Sequence, residues 1–182
     1  IGTELTVLTD ADEAVTVSVS STTGNTEVRI DNVILAAGST VPAGALTSLS
    51  IQTGSANNQI DLSAITSGVF TSLASITVDA GDGDDTIIGA ASVASVLSGG
   101  DGNDVITGGN AADTLMGNDG QDTIDGGAGN DDINAGDGDD SVLAGAGDDT
   151  VVGDDGNDTI FGGTGNDSII ANNGADSLFG EA

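Results

Sequence analysis

The chain has 182 residues, 37% of them apolar, yet its only aromatics are three Phe. Its 30 acidic residues face a single base, Arg29, which leaves a formal charge of -29. That balance excludes nucleic acid as a direct partner, because phosphate contacts need Lys and Arg, and it opposes binding to anionic membranes.

The chain has no His, Cys, Lys, Trp or Tyr. This removes Ser-His-Asp and Cys-His nucleophile systems, His- or thiolate-based zinc sites, Schiff-base lysines and the phosphate-loop lysine. Paired carboxylates such as Asp84-Asp85 and Asp139-Asp140 recur too regularly to read as a glycosidase pair. The chain is therefore expected not to be an enzyme. No segment approaches the ~20 apolar residues of a membrane-spanning helix, so no membrane insertion is expected. With so few aromatics, a core has to be built from thin stacks of Ile, Val and Leu, which suits a solenoid better than a globule.

Residues 1–45 read as an N-terminal β-element. Leu5-Val7, Val15-Val17-Val19 and Val28-Ile30, with Val33 as a further member, alternate with polar residues. The Gly24-Asn25 pair between two of these runs reads as a hairpin turn. An antiparallel β cap over the open end of a solenoid is expected, since a bare terminal coil exposes strand edges. A separate small β-domain is the alternative.

Residues 46–79 read as longer, degenerate coils of the same solenoid. Thr53 to Asp61 aligns with Ala80 to Ile88, and strand-like stretches (Leu49 to Gln52, Ser75 to Asp79) precede the two. Asn58 stands where the second copy has Asp85, so a cation there is doubtful.

Residues 80–182 repeat every nine residues, in units starting at Ala80, Gly99, Gly108, Gly117, Gly126, Ala135, Ala144, Gly153, Gly162 and Ala171. A ten-residue unit, Gly89 to Ser98, interrupts them and lacks the acid. Position six is Asp85, Asp104, Asp113, Asp122, Asp131, Asp140, Asp149, Asp158, Asp167 or Asp176. Position eight is always aliphatic, from Ile87 to Leu178, and is expected to point into the core. Position four is Gly83, Gly102, Gly120, Gly129, Gly138, Gly147, Gly156, Gly165 or Gly174, with Ala111 standing in once. Position two is Gly except for Asn118, Asp154 and Asn172, the residue types that best tolerate positive φ. Such a loop turns its carbonyls toward one point and sets an acid beside them, and calcium takes 6–8 hard oxygens of this kind. Positions seven to nine then read as a very short strand, so two units make a coil of 18 residues. Coils stacked roughly 4.8 Å apart give the repeat part a rod of about 25 Å.

This pattern resembles the RTX (repeats-in-toxin) calcium-binding nonapeptide family. The resemblance implies an all-β, right-handed parallel β-roll or β-helix solenoid. It implies Ca2+ between loops one coil apart, held by the position-six carboxylates and by the loop carbonyls of the position-four glycines. The pairs 85/104, 104/122, 122/140, 140/158 and 158/176 on one side, and 113/131, 131/149 and 149/167 on the other, give up to eight ions. The 85/104 pair spans the ten-residue unit, and the Ala111 loop is expected to bind poorly. Residues 79–182 hold 23 acids and no base. Self-repulsion should keep that half unfolded without metal.

Position nine faces outward but turns apolar toward the C-terminus. Leu143, Phe161 and Phe179 fall on one sheet and Val152 and Ile170 on the other, which marks a contact face for a second copy or a neighbouring domain. An ice-binding face would need regular Thr or Asx rows at positions three and five, and only Thr164 and Asn166 fit. The chain starts at Ile1 and stops at Ala182, one third into another repeat, so it reads as an excerpt of a longer protein. The expected function is a secreted, bacterial, extracellular or cell-surface structural module folded by Ca2+, part of a surface-layer, adhesin or filament protein. The alternative is a C-terminal folding and secretion module of a secreted enzyme or toxin.

Overall fold

The computed structural model describes residues 46–180 apart from Val69. Upstream it describes the backbone of three strands, 3–8, 14–22 and 25–30. Every regular element among the described residues is a strand. The upstream strands are β1 (Thr3–Leu8), β2 (Ala14–Thr22) and β3 (Asn25–Ile30). The next coils use β4 (Leu46–Gln52), β5 (Gln59–Asp61), β6 (Ser75–Asp82) and β7 (Thr86–Ile88). The repeats supply β8 (Ser95–Asp101), β9 (Val105–Gly109), β10 (Thr114–Asp119), β11 (Thr123–Gly127) and β12 (Asp132–Asp137). They continue with β13 (Ser141–Ala146), β14 (Thr150–Asp155), β15 (Thr159–Thr164), β16 (Ser168–Ile170) and β17 (Ser177–Phe179).

Two sheets result. One runs β1-β4-β6-β8-β10-β12-β14-β16, and the other runs β17-β15-β13-β11-β9-β7-β5-β2-β3. The chain alternates between them, so each coil adds one strand to each sheet. All neighbours pair in parallel except β2 with β3. The structure is a parallel β-solenoid.

The N-terminal strands differ from a purely antiparallel cap. β1 pairs in parallel with β4, and β2 in parallel with β5, so both sheets extend upstream. Only the β2–β3 hairpin is antiparallel, and its Thr22–Asn25 pair puts Asn25, expected in the turn, at the start of β3 instead. Gly24, Val33 and the rest of 31–45 lie outside the described residues.

Coil length shortens along the chain. Hydrogen-bond partners lie 27 residues apart between Asn58 and Asp85, 19 between Asp85 and Asp104, and 18 in later coils. The longer coil carries its surplus in residues 62–74, where Leu62, Ile65, Phe70 and Leu73 turn inward and close the core. In the repeats the core narrows to one large side chain per strand, with a Gly or Ala buried two residues on. Ile106, Leu115, Ile124, Ile133, Val142, Val151 and Ile160 are each at most 1% exposed. Each such side chain contributes about 1.5–3 kcal/mol by leaving water. Position seven points outward, as Thr123 does. Ile169 is only partly buried and Leu178 is 49% exposed, because no further coil covers them among the described residues.

Candidate metal centre

The loops of the repeats form two columns. One column joins the first sheet to the second and holds Asp85, Asp104, Asp122, Asp140, Asp158 and Asp176. The other runs the opposite way and holds Asp113, Asp131, Asp149 and Asp167. The glycine pattern builds these loops as the sequence demands. Positions two and four take positive φ, as in Gly136 (φ 107) and Gly138 (φ 145). The three non-glycine residues at position two, Asn118, Asp154 and Asn172, also have positive φ, of 80, 70 and 66. They are the only non-Gly residues with positive φ among those described. Gly109 and Ala111 do not join this set. The loop with the alanine thus has a different backbone, although its Ala111 carbonyl still lies under Gly129.

Close stacking is the reason position four is glycine. The carbonyl of Gly83 lies under the α-carbon of Gly102, where a Cβ would collide with it. Gly102 stands in the same way under Gly120, Gly120 under Gly138, Gly138 under Gly156 and Gly156 under Gly174. In the other column Gly129 lies under Gly147, and Gly147 under Gly165. The amide of Gly102 donates to the carbonyl of Asp119 at 2.7 Å, and Gly120 and Gly138 repeat the bond one coil on.

Each position-six carboxylate splits its two oxygens between two tasks. Oδ1 accepts the backbone N–H of the equivalent residue one coil earlier. Asp85 donates to Asp104 at 2.7 Å, Asp104 to Asp122 at 2.8 Å, and Asp122 to Asp140 at 2.7 Å. The other column does the same through Asp113 to Asp131 and Asp131 to Asp149, both at 2.8 Å. Asp167 and Asp176 end the columns, accepting from Asp149 and Asp158. Asp85 and Asp104 make this bond like the rest; the extra residue of the ten-residue unit lies in the other column's loop, between Ala91, which pairs with Asn110 19 residues on, and Ser95, which pairs with Asp113 18 residues on.

Oδ2 is different. In Asp85, Asp104, Asp113, Asp122, Asp131, Asp140, Asp149 and Asp158 it is buried without a hydrogen-bond partner. These eight residues are at most 3% exposed. Oδ2 sits against position one of its own loop, close enough that a Cβ on Gly99 or Gly117 would collide with it. An unpaired buried anion is costly. Burial accordingly raises the carboxyl pKa of Asp104, Asp113 and Asp131 to about 6 and that of Asp140 to about 7. The backbone N–H bonds and neighbouring carboxylates only modify that burial effect. Asp85, Asp122, Asp149 and Asp158 are raised for the same first cause.

This donor set fits a hard cation. It offers one orphaned carboxylate oxygen per loop and glycine carbonyls that accept no backbone hydrogen bond in the loop. Among the described residues no three acidic, His or Cys side chains converge. A bound ion therefore has to draw on main-chain oxygens, as calcium readily does.

Position five holds a second ladder that sequence reasoning missed. Asp139 Oδ1 accepts both the backbone N–H and the side-chain amide of Asn157, at 2.8 and 2.9 Å. Asp84 with Asn103, and Asp148 with Asn166, repeat the arrangement. Those backbone bonds, then the amides, lower the pKa of Asp84, Asp139 and Asp148. Here the later coil donates to the earlier one, whereas at position six the earlier donates to the later. Loops that carry both bonds are thereby clamped in both directions. The clue was available: an acid at position five is followed one coil later by Asn, as in Asp84 and Asn103, Asp139 and Asn157, and Asp148 and Asn166.

The apolar position-nine residues are placed where the periodicity put them. Leu143 pairs with Phe161, Phe161 with Phe179, and Val152 with Ile170. Leu143, Ile170 and Phe179 are exposed, while Val152 and Phe161 are half-buried. The Phe161 and Phe179 rings stack at 4.6 Å.

Fold and loops together define a solenoid whose coils are joined by cation-binding loops. Residues 77–92, 94–124, 116–151, 125–160 and 152–182 match the family model described as RTX calcium-binding nonapeptide repeat. The chain belongs to the RTX calcium-binding nonapeptide repeat family. Repeats of this family bind calcium and occur in secreted bacterial proteins. Neither the curated proteins nor the solved structures provide a match.

Proposed function

We propose that the chain is an extracellular, non-enzymatic structural module of a bacterial surface-layer, adhesin or filament protein, and that Ca2+ outside the cell triggers its folding. The observation that carries this reading is the double column of buried carboxylates, each with one oxygen bonded to the backbone and one left unpartnered. The position-six aspartates and the position-four glycine carbonyls are the residues that hold the ion, in up to eight inter-coil sites. A bound ion supplies the positive charge that the chain itself lacks. Without it, stacking forces the carboxylates of residues 79–182 together with no base to offset them. Extracellular modules bind calcium at roughly 10⁻⁴–10⁻³ M, the range that separates the outside of a cell from its interior. Folding and metal binding are then one equilibrium. The absence of His, Cys and Lys supports a non-catalytic role.

The test is a calcium titration of the chelated protein followed by far-UV circular dichroism, with magnesium as control. A cooperative gain of β-signal near millimolar calcium, absent with magnesium, is the expected result. Full β-structure in chelator would overturn the folding trigger.

A further inference from the structure

Two nonapeptide-like loops lack an aspartate at position six, and they share a feature found in no aspartate loop among the described residues. Asn58 and Ser95 occupy the position, 3% and 2% exposed. Asn58 Nδ2 donates to the carbonyl of Ala56, and Ser95 Oγ donates to the carbonyl of Val93 at 3.0 Å. Ala56 and Val93 each stand two residues before the position-six residue; Ala56 lies under Gly83 and is position four, while Val93 falls where the ten-residue unit carries its extra residue. In the aspartate loops the position-four carbonyl accepts no hydrogen bond from its own loop, and a buried carboxylate oxygen stays unpaired. Asn58 thus places a proton donor on the carbonyl that the acidic loops leave free, and Ser95 places one on the loop carbonyl two residues before it.

Their location is equally regular. Asn58 donates its backbone N–H to Asp85 Oδ1 at 2.6 Å, and its side-chain amide reaches the same oxygen at 3.2 Å. Ser95 donates its backbone N–H to Asp113 Oδ1 at 2.7 Å. Each residue therefore stands at the head of one column, directly before the first aspartate.

We propose that Asn58 and Ser95 are the ion-free ends of the two calcium columns, each using a neutral donor where later loops use an acid and a cation. This rests on the calcium reading above and deepens it. The 58/85 and 95/113 interfaces stack without metal, and ions occupy only interfaces with an aspartate on both sides. The upstream coil then offers the repeats a ready edge that needs no calcium. One atom opposes this assignment: Asn58 Oδ1 is buried without a partner. Turning the amide over would bring that oxygen against Ala56 O and Asp85, an arrangement that requires a cation.

The experiment counts bound calcium by native mass spectrometry on the full chain at saturating calcium. Asn58→Ala and Ser95→Ala should each bind as many ions as wild type. Asn58→Asp and Ser95→Asp should each bind one more, because each completes an aspartate pair. Loss of one ion in either alanine variant, or no gain in the aspartate variants, overturns the proposal. Circular dichroism in calcium checks that each variant folds; should an aspartate variant fail to fold, the alanine count at that position decides. Wild type that takes up no calcium would instead refute the calcium reading itself.

Discussion

Residues 46–79 and residues 99–180 build the same two sheets by different means. The upstream coil contains two acids, Asp61 and Asp79, neither of them buried, and fills its interior with Leu46, Leu49, Ile51, Leu62, Ile65 and Phe70. The repeat coils contain a thin aliphatic row and a buried carboxylate at nearly every turn. One region is held by apolar burial, which needs nothing from the solvent. The other sets apolar burial against buried charge, which a bound cation or protonation would relieve. On the proposed calcium reading, one solenoid would carry a calcium-independent and a calcium-dependent half on continuous sheets.

Chelation should break this comparison most sharply. In excess chelator, amides of residues 99–180 should exchange with deuterium at unfolded-chain rates, while those of β4 and β5 keep their protection. Stability of this kind varies along a structure and is read residue by residue by hydrogen exchange. Uniform loss across both regions would show that the upstream core cannot stand alone. Uniform retention would show that the repeats need no ion.

Acid should partly replace the metal. In the folded chain Asp104, Asp113 and Asp131 are raised to about 6 and Asp140 to about 7, from 3.8. Groups raised on folding bind more protons in the folded state, so their stabilising contribution is complete below 3.8 and is lost as pH rises through about 6 to 7. Chelated protein should thus gain β-signal on acidification from pH 8 to about 4. With calcium present, the same protons compete for the carboxylates, and the calcium midpoint should rise as pH falls below about 6. A chelated spectrum that does not change with pH would mean that repulsion among the carboxylates is not what keeps the repeats open.

The repeat half was legible in the sequence because its constraints are local and periodic. The glycines report positive φ, the aliphatic at position eight reports the core, and Asn118, Asp154 and Asn172 obey the backbone rule that glycine does. Less legible was anything that depends on the neighbouring coil. The opposed ladders at positions five and six exist only across stacked loops. So does the parallel addition of β1 and β2, which alternate in sequence just as an antiparallel element would. Alternation reports a strand with two unlike faces and is silent on the direction of its partner. The role of Phe70 was hidden for a related reason: the 62–74 connection has no period, and its inward side chains show only in the folded coil.

The loop glycines sharpen the contrast between positions two and four. Gly138 has φ 145 and a Cβ there would strike the Gly120 carbonyl, so Gly138→Ala should lower stability in saturating calcium by about 1–3 kcal/mol. Gly136 lies between Asn118 and Asp154 in register, both already at positive φ. A Cβ on Gly136 would also meet the carbonyl of Asn118, so Gly136→Asn should lower stability too, but by less than Gly138→Ala, since Asn tolerates that φ. Thermal midpoints measured in calcium rank the two. Equal losses would mean that stacking, rather than φ, limits both positions.

The smallest expected effect concerns the outer face, where the late coils differ from the early ones. On the second sheet position nine is Thr107 and Asp125 early, then Leu143, Phe161 and Phe179. The Phe161–Phe179 rings stack at 4.6 Å with planes 13° apart. Such a pair is worth about 0.5–1.5 kcal/mol beyond its buried area. Phe179→Thr should lower stability in calcium by about that amount, read from the thermal midpoint, and raise the calcium midpoint of folding only slightly, because the loss is spread over all the ions that bind with folding. A large shift of the calcium midpoint would tie the face to the metal columns. A loss below about 0.5 kcal/mol would mean that the pair adds little to the fold. Three apolar side chains in register on an exposed sheet would then owe their place to a contact outside this chain.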